Sequence, residues 1–186
     1  MSFFDFVAPI YDKLFHPDPG EFCRQGGFSD AGFILDIGGG TGRIAQTLQD
    51  AKRKVIVADL SIKMLLQAKK RGQLLPVVAN GAALPFDESC ITAVLIVDAY
   101  HHFQRRERVI REVARVLIRN GILYIFEPNI KKFTVKIIAV LEIGLGMHSK
   151  FYQIHEIEKA VTKVGFNTVE IKEEDSSIRL CFKKNN

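Results

Sequence analysis

The chain predicts an α/β fold: a doubly wound, seven-stranded, mostly parallel sheet with an antiparallel last strand. Three observations predict it. Apolar runs of strand length alternate with amphipathic segments of helix length along most of the sequence. These runs are apolar throughout rather than at every second position, as strands covered on both faces must be. A glycine-rich break follows the first run and an acid ends the second, the places where such sheets turn into their helices.

The elements follow in order. Strand 33–37 leads into a helix near 42–51, and Lys54 to Asp59 reads as a second buried strand. Ser61 is placed to cap a helix over 61–71. A third strand covers 74–79, and Pro76, which cannot donate to a ladder, suggests an edge position or an early residue of the strand. Ile91 to Val97 is the most apolar run and predicts a central strand. Helix 104–118 carries Val109, Ile110, Val113, Val116 and Leu117 on one face, with Asn120-Gly121 as its stop and Ile122 to Phe126 as the fifth strand. After a stretch of different rhythm, a helix near 153–164 ends at Gly165. Two strands (166–174 and 177–183) follow, and their short connection requires antiparallel pairing.

With 186 residues, 47% of them apolar and 25% charged, the chain reads as one globular domain over 1–186. The net charge of +5 is spread along the chain without interleaved aromatics, which argues against a nucleic-acid partner. Three cysteines without a Cys-x-x-Cys argue against disulfide scaffolding and a thiolate zinc site. The first residues lack a signal peptide's basic start, and no run is long and apolar enough to span a bilayer, so a cytoplasmic protein is expected.

Leu35 to Arg43 reads Leu-Asp-Ile-Gly-Gly-Gly-Thr-Gly-Arg. Glycines admit positive φ and let a ligand approach the main chain closely. In a Gly-x-Gly-x-x-Gly dinucleotide fingerprint read from Gly38, the third glycine falls on Arg43. Asp36 stands two residues before Gly38, where it repels a pyrophosphate and suits an ammonium. Asp59 ends the second strand, where an acid can accept both ribose hydroxyls of an adenosine, or alternatively cap the helix that follows. Asn80-Gly81 precedes Ala-Ala-Leu-Pro-Phe and is by itself also a turn dipeptide.

The Asp-x-Gly-x-Gly-x-Gly run resembles motif I of the class I S-adenosylmethionine (SAM) dependent methyltransferases, which have a Rossmann-like fold. Ala79 to Phe86 is similar to the Gly-Asp-Ala-x-x-Leu-Pro-Phe element of their small-molecule branch, with Asn80 in place of the acid. Leu95 to Phe103 resembles the fourth strand and its loop, and Arg111 to Pro128 the helix and strand that follow. Phe6 to Asp12 is similar to the opening of the ubiquinone/menaquinone-biosynthesis methyltransferases, whose tyrosine folds over the cofactor; the resemblance implies an N-terminal lid over 1–30 and an acceptor-side insertion over 129–150 within the one domain.

The resemblance implies SAM as cofactor and S-adenosylhomocysteine as product. Tyr11, Asp36, Gly38, Gly39, Gly40, Asp59, Leu60, Asn80, Gly81 and Asp98 are its implied binding residues. The acceptor is expected to be a small molecule, with a lipophilic one suggested by the basic-then-apolar stretch Lys131 to Leu145. That stretch also allows peripheral membrane contact, or simply packs as a helix on the sheet. His102 and His101 are the first candidates for a general base, followed by Asp98, Glu127 and His148. The adjacent histidines have no spaced third ligand, so no metal is expected. An NAD-linked oxidoreductase and a SAM-binding interaction module without catalysis are the alternative readings.

Overall fold

A computed structural model describes residues 32–50, 52–129, 152–174 and 177–186. The expected lid (1–30) with Tyr11, most of the expected insertion (129–150), Cys23 and His148 lie outside the described residues.

Seven strands form one sheet: β1 (Gly32–Ile37), β2 (Arg53–Asp59), β3 (Leu75–Val78), β4 (Ile91–Val97), β5 (Leu117–Pro128), β6 (Phe166–Glu173) and β7 (Ser177–Lys184). Their order is β3-β2-β1-β4-β5-β7-β6. β1 pairs in parallel with β2 and β4, and β4 with β5, whereas β7 runs antiparallel between β5 and β6. The fold matches the expected class, and Pro76 does lie on an edge strand.

The helices are α1 (Arg43–Thr47), α2 (Ile62–Ala68), α3 (Arg106–Val116) and α4 (Ile154–Thr162), with a 3-10 turn at Tyr100–His102. Both faces of the sheet are covered. Leu35, Ile37, Ile56, Ala58, Val94 and Ile96 pack with Val109, Val113 and Val116 of α3 and Ile157 and Val161 of α4. Ile34, Val55, Val57, Ala93 and Leu95 pack with Ala45 of α1 and Leu65 and Ala68 of α2. Strands apolar at every position follow directly from this two-sided burial. Ser61 caps α2 as expected, its Oγ accepting from Met64 N at 3.2 Å.

Two expectations change. The first helix is five residues rather than ten, because Leu48 N turns back to Ala45 O and closes it. Asn120-Gly121 is not a helix stop. α3 ends at Val116 and Leu117 already pairs with Ile91, while Ile122 pairs with Ala93, so the intervening residues bulge out of β5. Asn120 takes φ +60° within that bulge. An Asn-Gly pair marks a left-handed turn, and sequence cannot say whether a helix or a strand contains it.

The order of strands reverses between β1 and β4. In open α/β sheets, ligands bind outside the carboxyl ends of the strands at such a point. The loops after β1 and β4 meet there: a Cβ on Gly38 would lie 2.6 Å from the Ala99 Cβ.

Candidate active site

The loop after β1 makes the floor. Gly38, Gly40 and Gly42 have φ of +75°, +54° and +74°. Gly38 N donates to Ala58 O, and Gly42 N to Gly39 O, folding the glycine run back over the tips of β1 and β2. A Cβ on Gly39 would meet Asp36 Oδ2 at 2.5 Å, so the turn can lie on the carboxylate only without a side chain.

Asp36 is 2% exposed, and its Oδ1 has no hydrogen-bond partner among the described residues. Burial, and then the nearby charge of Asp59, push its carboxyl from 3.8 up to about 7. A buried carboxylate with an open lone pair is costly unless a donor reaches it. Asp59 is the second acid. Its Oδ2 accepts from Gly40 N at 3.0 Å and its Oδ1 from Ser61 N at 2.7 Å, so it ties the glycine turn to the start of α2. Leu60, the next residue, is exposed.

Two acids on adjacent strand tips, one with an oxygen unpartnered among the described residues, stand beside a turn that leaves no room for side chains. The set fits a ligand with an ammonium and a diol, as SAM has, and does not suit a pyrophosphate.

Asn80 and Gly81 lie after β3. The Asn80 Oδ1 accepts from Ala82 N at 2.9 Å in a tight turn, so the dipeptide is a turn as its composition suggests. Glu112 and Arg115 of α3 hold the loop that follows, a clamp with no sequence signature. Leu84 N donates to Glu112 Oε2 at 2.8 Å, and Arg115 donates to Phe86 O at 2.7 Å and Leu84 O at 3.0 Å. Arg115 also pairs with Glu112 at 2.8 Å, which holds that carboxyl below its usual range.

The loop after β4 forms the opposite wall. Asp98 takes φ +48° and its N donates to Phe126 O at 2.9 Å. The buried Glu127 carboxylate organises the next three residues, accepting from Ala99 N at 3.0 Å, Tyr100 N at 2.8 Å and His101 N at 3.3 Å. Its Oε2 also lies 2.5 Å from His101 Nδ1. Glu127 and His101 are both candidate bases by sequence. The structure engages each of them in holding this loop, with His101 3% exposed. Arg106 closes the far side, donating to Tyr100 O and His101 O, each at 3.1 Å, and to the Tyr152 hydroxyl.

The His102 ring lies 3.9 Å from that of His101. Burial first, then the charges of His101 and Arg106, lower it from 6.5 to about 3, so the ring is neutral at physiological pH. No group of three or more potential metal-ligating side chains occurs among the described residues.

Comparison with known proteins agrees with this geometry. Residues 35–125 match the model of a methyltransferase domain. An uncharacterized protein of Methanocaldococcus jannaschii is 30% identical over 199 residues, covering 90% of this chain and 76% of its own length. The demethylmenaquinone methyltransferase of Thermotoga maritima is 39% identical over 115 residues, and the match covers 56% of this chain and 48% of that enzyme. The chain thus spans only about half of that relative. Among solved structures, a chain from the Haloferax volcanii complex between the Trm112 methyltransferase activator and a proposed methyltransferase superposes with a TM-score of 0.83. It is 15% identical and covers 100% of this chain and 99% of that one, a likeness of fold. On the family match and these relatives together, the chain belongs to the class I S-adenosylmethionine-dependent methyltransferases.

Proposed function

We propose that this chain, as a single domain, transfers a methyl group from SAM to a small lipophilic acceptor of the quinol or phenol type. The observation that carries the cofactor part is the buried Asp36 with its unpartnered Oδ1 beside Asp59 under the glycine turn. Asp36 receives the ammonium of the methionine end, and Asp59 the ribose hydroxyls. Gly38, Gly39 and Gly40 let the ligand lie against the main chain. Leu60 packs on the adenine, which Asn80 and Gly81 border, and Asp98 lines the wall opposite. Tyr11, outside the described residues, is assigned to cover the methionine end.

SAM supplies a methyl carbon on a sulfonium, open to in-line displacement. The protein's task is alignment, which in favourable cases lowers a barrier by about 7–11 kcal/mol. Glu127 and Arg106 hold the 98–103 loop that faces the acceptor. A neutral His102 lowered to about 3 is a weak base, so the acceptor must be acidic or soft enough to react with little help. The name of the Thermotoga maritima relative, a demethylmenaquinone methyltransferase, supports an acceptor of that type.

Calorimetry with SAM, S-adenosylhomocysteine and NAD, followed by methyl consumption with a panel of quinol-like and small polar acceptors, tests this. Both sulfur ligands are expected to bind, NAD not, and the quinols to turn over fastest. Preference for NAD ends the reading. Sulfur-ligand binding with no turnover on any acceptor converts the protein to a non-catalytic module. Turnover confined to polar acceptors, without liposome binding, removes the lipophilic acceptor.

A further inference from the structure

The two edges of the sheet are built differently. β6 is guarded: Glu170, Lys172 and Glu173 lie along it, and its pairing with β7 slips between Thr168 and Glu170. Charges and bulges on an edge prevent it from pairing with another chain. β3, the opposite edge, reads Leu-Pro-Val-Val and carries no charge.

Beside this open edge lies an apolar face. α2 packs against β3, and Ile62 and Leu66, four residues apart on its outer side, are 60% and 55% exposed. Val78 of β3, on the face of the sheet that α2 covers, is 56% exposed, whereas Leu75 alternates to the opposite face. Ile62, Leu66 and Val78 thus place three exposed large apolar side chains on one side of the sheet. A patch of this kind, next to a strand edge with no partner among the described residues, marks an interaction surface.

The backbone can complete a ladder. Ala79 N turns inward to Asp59 O at 3.1 Å, so by alternation Val78 N–H and the carbonyls of Pro76 and Val78 face outward. Pro76 faces the same way, which is why its missing N–H costs the β2 pairing nothing.

Charge selects the occupant. Lys63, Lys69, Lys70 and Arg71 rim the patch, and residues 60–86 contain no Asp or Glu. A second copy paired edge to edge would bring the same four cations against themselves. We infer that the β3 edge and the outer face of α2 dock a protein partner that adds an extended strand, apolar where it meets Leu66 and Val78 and acidic at its rim. The surface borders the cofactor residues Asp59 and Leu60 without including them, and it is independent of the acceptor.

The test uses the full chain and two labelled ten-residue peptides, one of alternating Glu and Val and one of alternating Lys and Val. By fluorescence anisotropy the acidic peptide is expected to bind at least tenfold more tightly. Leu66→Lys, and separately Ile62→Lys, should weaken it at least tenfold although each adds a positive charge, with affinity for S-adenosylhomocysteine unchanged. Lys69→Glu with Lys70→Glu should reduce or reverse the preference. Equal binding of the two peptides, or full binding by both apolar variants, overturns the proposal. So does sedimentation showing a dimer that Leu66→Lys dissociates, since the face would then belong to a second copy.

Discussion

Asp36→Asn separates what the site costs the fold from what it contributes to binding. Burial raises the folded carboxyl from 3.8 to about 7, so between those values the folded chain keeps a proton the unfolded chain has released. Stability therefore falls as pH rises from about 4 to about 7 and is level above. The full span corresponds to about 4 kcal/mol as an upper figure. Asparagine is nearly isosteric and cannot ionise, but its amide must still be satisfied, at a cost of about 1–3 kcal/mol. The variant should thus be more stable than the parent by about 1–3 kcal/mol at pH 8 and no more stable at pH 4. Urea unfolding without ligand at both pH values reads this directly.

Binding should move the other way. An ammonium pairs with the ionised carboxylate, so the parent's affinity for S-adenosylhomocysteine should drop by up to tenfold per pH unit below 7. In Asp36→Asn, affinity at pH 8 should be about 10- to 150-fold weaker and its dependence on pH between 5 and 7 should flatten. Parallel pH profiles for the two proteins, in stability or in binding, would refute the assignment of Asp36 as a strained, ligand-seeking acid.

Other substitutions probe the walls. Gly38→Ala introduces a Cβ 2.6 Å from that of Ala99 at φ +75°, and should cost at least 1–2 kcal/mol by unfolding and abolish measurable SAM binding. Glu127→Gln keeps the size but turns an amide toward His101 and the loop N–H groups. A loss of about 2–4 kcal/mol is expected in denaturant titration, together with faster amide exchange at Ala99 to His101. Arg115→Ala frees the Leu84 and Phe86 carbonyls, and should cost about 1–3 kcal/mol and weaken S-adenosylhomocysteine in calorimetry without changing its pH dependence.

The sequence by itself determined the strand and helix succession, the parallel sheet and its antiparallel last strand, because burial on both faces leaves a continuous apolar run that composition displays. It also located Asp36, the glycine turn and Asp59, since a turn with positive φ and strand-end acids are local features. Only the tertiary structure decided what holds the walls. Glu127 reaches back 28 residues to the Ala99 amide, and Glu112 the same distance to the Leu84 amide. No spacing rule connects such positions. Burial decided the rest: it turned His101 into a bracket for its own loop, kept His102 neutral, and left one oxygen of Asp36 without a partner among the described residues. Desolvation depends on every neighbour at once, and neighbours are what a one-dimensional string does not list.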